Sequence, residues 1–123
     1  MTQPFATERA PIVLEIRTYR LTPGATEAFH RLVTERSVPL LESFGIAVVR
    51  FGPSERNEEG VEEYVLIRAF ESLDTRDEQE DRFYSSEAWL HGPRDAILRL
   101  VESYQTVVLT VSPAAVEALG RRR

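Results

Sequence analysis

Apolar and polar positions alternate with a period of two along Pro11-Ile12-Val13-Leu14-Glu15-Ile16-Arg17-Thr18-Tyr19-Arg20, a run that stops at the Thr22-Pro23-Gly24 breaker and so reads as a β-strand. One face takes Leu14, Ile16 and Thr18; the other takes Val13, Glu15, Arg17 and Tyr19. The period then lengthens. Ala25, Ala28, Phe29, Leu32 and Val33 recur at helical spacing, with Glu27, His30, Arg31 and Glu35 on the outer side and His30 expected in solvent. Pro39 is expected to kink or end this helix near Ser37, because it removes a donor and clashes with the preceding turn. Leu40, Leu41 and Phe44 carry the apolar stripe on to a stop at Gly45.

A second strand is predicted from Ile46 to Phe51, a charged hairpin loop from Ser54 to Gly60, and a third strand from Glu63 to Phe70. The third strand puts Tyr64, Leu66, Arg68 and Phe70 on one face and Val65, Ile67 and Ala69 on the other. Ser72 or Asp74 can cap the next helix, whose acidic first turns suit the helix dipole. Its run Asp74 to Arg82 holds few apolar residues and reads as a solvated face. After Trp89 and the Gly92-Pro93 break, Ile97, Leu100, Val101 and Tyr104 keep helical register; Thr106 to Val111 forms the last strand. Ser112-Pro113 opens a short helix ending at Gly120.

The order β-α-β-β-α-β predicts an α+β, ferredoxin-like fold: a four-stranded antiparallel sheet with helices on one side. The domain spans residues 11–112, after a loose lead-in (1–10) and before a short C-terminal helix and Arg tail (113–123). Leu14, Ile16, Val65, Ile67, Val107 and Leu109 are expected to face the helices. The opposite face would carry Val13, Glu15, Arg17, Tyr19, Tyr64, Leu66, Arg68, Phe70, Thr106 and Val108, joined by Ile46, Val48 and Arg50 of the second strand. Such a face is too apolar for water, which predicts a homodimer packing two sheets into a dimeric α/β barrel.

Composition narrows the chemistry. With 123 residues, 42% of them hydrophobic, the chain can bury one core. A net charge of −5 argues against a nucleic-acid partner. All 15 basic side chains are Arg, so lysine Schiff-base chemistry is absent. There is no Cys, hence no disulfide, thiol nucleophile or thiolate metal site, a composition that fits the cytoplasm. No apolar run approaches a membrane span, and no signal peptide is expected from the opening residues.

Glu15-Ile16-Arg17-Thr18-Tyr19 with Pro23-Gly24, then Phe70-Glu71-Ser72-Leu73-Asp74-Thr75-Arg76, then Ser86-Glu87-Ala88-Trp89, resembles the signatures of the NIPSNAP family across roughly residues 12 to 111. The resemblance implies a dimeric α+β barrel; where members often carry Trp late in the second strand, this chain has Phe51. The family has no defined biochemical role, and whether this chain is an enzyme stays open.

The candidate pocket is Glu15, Arg17, Tyr19, Tyr64, Arg68, Trp89 and His91. Buried guanidinium groups can take a carboxylate or phosphate bidentately, with Tyr19 or Tyr64 adding a hydroxyl. The competing reading, which carries more weight, is an ion-pair network that needs no ligand. His91 can be a general base or haem ligand, but a plain turn residue is the expectation. Trp89, Phe83 and Tyr84 suit a core. Two histidines cannot build a three-histidine metal centre, so neither metal nor cofactor is expected. Three functions follow: a small polar cavity between the sheets for an anionic or aromatic molecule, a cofactor-independent monooxygenase-like enzyme by analogy with related barrels, or a structural interaction module.

Overall fold

The protein was described from a computed structural model covering residues 10–121; the first nine residues of the expected lead-in and the last two arginines of the tail lie outside the described residues. The elements are β1 (Ile12–Leu21), α1 (Thr26–Leu32), a π-helical turn (Val33–Ser37), α2 (Val38–Ser43), β2 (Ala47–Pro53), β3 (Glu62–Phe70), α3 (Leu73–Tyr84), α4 (Glu87–Leu90), α5 (Arg94–Leu98), β4 (Val101–Val111) and α6 (Pro113–Gly120). The four strands form one antiparallel sheet in the order β2-β3-β1-β4, so the expected ferredoxin-like topology holds. Among the described residues no helix is long and apolar enough to cross a membrane.

Pro39 does not end the first helical stretch. It sits in the first turn of α2, where a missing N–H costs little, and the helix ahead of it widens into the π-helical turn. Gly45, at φ +79°, then closes α2 in the left-handed region where a side chain would be strained. α3 starts at Ser72, whose hydroxyl accepts a hydrogen bond from the Thr75 N–H. The helix expected to run through Tyr104 stops at Leu98. Val101 and Tyr104 instead pair with Leu21 and Tyr19, because β1 can fill its free edge only by recruiting the β-branched and aromatic residues after Arg99.

The faces of the sheet are the reverse of the sequence expectation. Val13, Tyr64, Leu66 and Phe70 pack under the helices with Phe29, Val33, Val38, Leu41, Phe83, Trp89 and Ile97. Glu15, Arg17, Tyr19 and Arg68 share that side. Ile16, Val65, Ile67, Val107 and Leu109 stand on the open side, and Val107 is 58% exposed. Leu14, also expected under the helices, is on that open side too, and it is buried. α6 folds back against β1 and β2, and Arg50 Nη1 donates to Leu119 O at 3.3 Å. In β2 an irregularity between Val48 and Arg50 breaks the alternation: Val48 pairs with Arg68 on the helix side, whereas Arg50 pairs with Ile67 on the open side. That bulge is why both sides of the strand read as apolar in sequence.

Candidate functional site

The charged residues meet beneath α3. Antiparallel pairing sets Glu15 opposite Arg68 and Arg17 opposite Thr106, so acid, guanidinium and hydroxyl share one patch of the sheet. From above, α3 lowers Arg76, Glu80 and Tyr84, which lie four residues apart and so occupy one helix face. Glu15 and Arg68 are fully buried. Arg68 Nε donates to Glu15 Oε1 at 2.8 Å, its Nη2 also binds that oxygen, and Arg76 Nε donates to Glu15 Oε2 at 2.7 Å. Two guanidinium groups converge on the Tyr84 hydroxyl, Arg68 Nη1 at 2.8 Å and Arg17 Nη1 at 3.1 Å. Arg17 Nε donates to Thr106 Oγ1 at 3.1 Å, and its guanidinium lies 4.9 Å from the centre of the Tyr104 ring.

Glu80 is held differently. Its carboxylate lies 3.3 Å from Arg68 Nη2, 3.5 Å from Arg76 Nη2 and 3.8 Å from Arg17 Nη2. No guanidinium hydrogen bond to it forms, and Glu80 Oε2 is buried without a partner among the described residues. The carboxyls of Glu15 and Glu80 sit close enough to act on one another, and their acidities separate. Burial acts to raise the Glu15 pKa, but the contact with Glu80, the charges of Arg68 and Arg17 and the hydrogen bond from Arg76 bring it down to about 2. Burial and the contact with Glu15 push Glu80 up to about 7, against the opposing pull of Arg68 and Arg76. Burial works against the Arg68 charge; Tyr84, Glu15 and Glu80 outweigh it, so its pKa is raised.

Of the seven residues singled out in sequence, Glu15, Arg17 and Arg68 come together. Tyr19 and Trp89 sit beside them and line an internal cavity of about 30 Å³, the room of one water, together with Tyr84 and Ser37. Ser37 Oγ is buried there with no partner among the described residues. Burial pushes the Tyr19 hydroxyl up to about 12, so it stays protonated at neutral pH. Trp89 is core, packed edge-on against Tyr84 at 5.3 Å. Tyr64 is core as well, and its hydroxyl meets His30 Nδ1 at 2.6 Å rather than the arginines. His30 is therefore half-buried and hydrogen-bonded, not in solvent as expected. His91 lies outside the site: its side chain is 75% exposed and pairs with Glu87.

The polar cavity expected between two sheets is thus misplaced, since its residues lie inside one protomer under the helices. Arg76, Glu80 and Tyr84 were hidden in sequence because Asp74 to Arg82 looked solvated. The available signal was their spacing of four. Among the described residues no group of three His, Asp or Glu side chains is placed to hold a metal ion.

Comparison with known proteins places this architecture. A solved NIPSNAP family protein of unknown function from Agrobacterium tumefaciens is 31% identical, with 82% of this chain and 88% of that one covered and a TM-score of 0.73. An uncharacterised NIPSNAP domain protein from Burkholderia xenovorans matches at 18% identity, over 79% and 91% of the chains, with a TM-score of 0.70. A putative antibiotic biosynthesis monooxygenase from Bacillus cereus shares the fold at 19% identity, 83% and 94% coverage and a TM-score of 0.51. No curated protein matches. The NIPSNAP family model matches residues 14–114, and the chain belongs to the NIPSNAP family.

Proposed function

We propose that this protein is a homodimer, joined through its open sheet face, in which each protomer binds a small organic anion with an aromatic or apolar body at Arg17. The observation that carries the site is the state of Arg17. Its Nη2 has no hydrogen bond among the described residues, only the charges of Glu80 and Glu15 at 3.8 and 4.0 Å, while its Nε reaches Thr106 on the edge strand β4 and its side chain keeps 12% exposure. Arg68, Glu15 and Arg76 already satisfy one another and leave nothing for a ligand. At Arg17 a carboxylate or enolate oxygen would find Nη2 and the Thr106 hydroxyl as donors, while an aromatic ring would lie on Tyr104, which is 58% exposed. The interior pairs support a second reading, a purely structural network that fixes α3 on the sheet. The monooxygenase-like neighbour shares the fold alone, and fold does not carry a reaction across.

The dimer rests on the other side of the sheet. Ile16, Val65, Ile67, Val107 and Leu109 form a contiguous aliphatic surface on three strands, of the kind a two-fold copy covers with its own equivalent. The site is tested with benzoate as the probe. Benzoate at millimolar concentration should raise the melting temperature of the wild type, and Arg17→Met should lose binding at least tenfold while melting near the wild-type temperature without ligand. Unchanged benzoate affinity in Arg17→Met would leave the structural reading standing.

A further inference from the structure

We infer that the anion site at Arg17 is proton-coupled: Glu80, held among three guanidinium groups without a hydrogen bond to any of them, takes up a proton as the anion binds. The inference rests on the anion-binding reading above and specifies how that site is regulated. Its basis is geometric. Among the described residues the charged groups around Glu80 are Glu15 and Arg17 from β1, Arg68 from β3 and Arg76 from its own helix, with the Tyr84 hydroxyl bonded to Arg17 and Arg68 beside them. Arg68 and Arg76 spend their short bonds on Glu15. Glu80 is left with longer contacts and one buried oxygen without a partner.

Protonating Glu80 therefore costs the site few hydrogen bonds. It also changes the charge balance. Three guanidinium groups face two carboxyls, so the cluster carries a single positive charge when Glu80 is ionised and two when it is protonated. Arg17 Nη2, the donor offered to the ligand, is 3.8 Å from Glu80 Oε1. A bound anion thus sits close enough to oppose the Glu80 charge directly and to favour its neutral form. The carboxyl is already balanced near neutrality, which makes the coupling visible at accessible pH. The consequence is a receptor whose affinity for organic acids falls as the medium becomes alkaline, with no conformational change required.

Isothermal titration of benzoate into the intact protein, at each pH in two buffers that hold that pH and differ in ionisation enthalpy, reads the proton directly. At about pH 8 we expect more than half a proton taken up per benzoate, and at about pH 6 close to none. Affinity should weaken several-fold between these conditions. Glu80→Gln, which mimics the neutral carboxyl, should bind benzoate with no proton uptake and no pH dependence. Carboxyl carbon resonances give the same answer without a variant: the Glu80 midpoint should move upward when benzoate is present. Binding without proton uptake, or uptake that persists in Glu80→Gln, overturns the coupling and leaves the site intact. Absence of benzoate binding in both proteins at both pH values overturns the site itself and the coupling with it.

Discussion

The two faces of the sheet invert the usual order of a small domain. Under the helices lie Glu15, Arg17 and Arg68; on the open side lie Ile16, Val65, Ile67, Val107 and Leu109. Burial follows what the covering element supplies, not the polarity of the strand alone. α3 brings Arg76, Glu80 and Tyr84, which turn a charged strand face into a paired interior. On the aliphatic side α6 reaches β1 and β2 but leaves Val107 and Leu109 exposed. Neighbouring residues of β3 test the contrast most severely. Leu66 is core, so Leu66→Asp buries an unpaired charge and should unfold the protomer, a loss of roughly 3–5 kcal/mol or more. Ile67→Asp should keep the wild-type circular dichroism and sediment as a monomer at micromolar concentration. A folded Leu66→Asp monomer beside an unfolded Ile67→Asp would show the faces to be reversed.

Arginine offers a second contrast between the same two sides. Arg68 is fully buried between Glu15 and Tyr84, whereas Arg50 is exposed and, among the described residues, donates to the Leu119 carbonyl. Arg68→Ala strands a buried carboxylate and should cost about 3–5 kcal/mol, but Arg50→Ala about 0–1 kcal/mol. Urea denaturation of the two variants decides it, and comparable losses would refute the assignment of Arg68 to the interior.

The element order could be read from the chain because the hydrophobic period switches cleanly between two and 3.6 and because Pro23-Gly24, Gly45 and Gly52-Pro53 punctuate it. The pairing of Glu15, Arg17 and Arg68 was legible too, since alternate residues of adjacent central strands must share a face. Which face turns inward was not legible. Two alternating sets look equivalent in a strand until the helix is known, and α3 carries Arg, Glu and Tyr where an apolar stripe would have declared itself. β2 concealed its bulge for a related reason, as Val48 and Val49 are both buried. Leu100 to Tyr104 could satisfy either period, and pairing with β1 decided in favour of the strand.

The smallest effect separates the two carboxyls within the covered face. Glu15, brought down to about 2 from an ordinary value of 4.5, stabilises the fold above that ordinary value and loses the contribution as pH falls towards 2. Glu80 has the opposite sign. Its pKa is raised to about 7, so the fold holds a proton that the unfolded chain has released, and this contribution is lost as pH rises from 4.5 through 7. Glu80→Gln keeps a neutral side chain at every pH and removes only that dependence. Relative to Glu80→Gln, the wild type should therefore lose stability between about pH 5 and pH 8. The expected loss is about 1–2 kcal/mol, below the full value of the shift because solvent reaches the flank of the carboxyl. Paired denaturation curves across that range give the difference directly. Parallel pH profiles for the two proteins would mean that Glu80 is ionised throughout, held by the three arginines as an ordinary salt bridge.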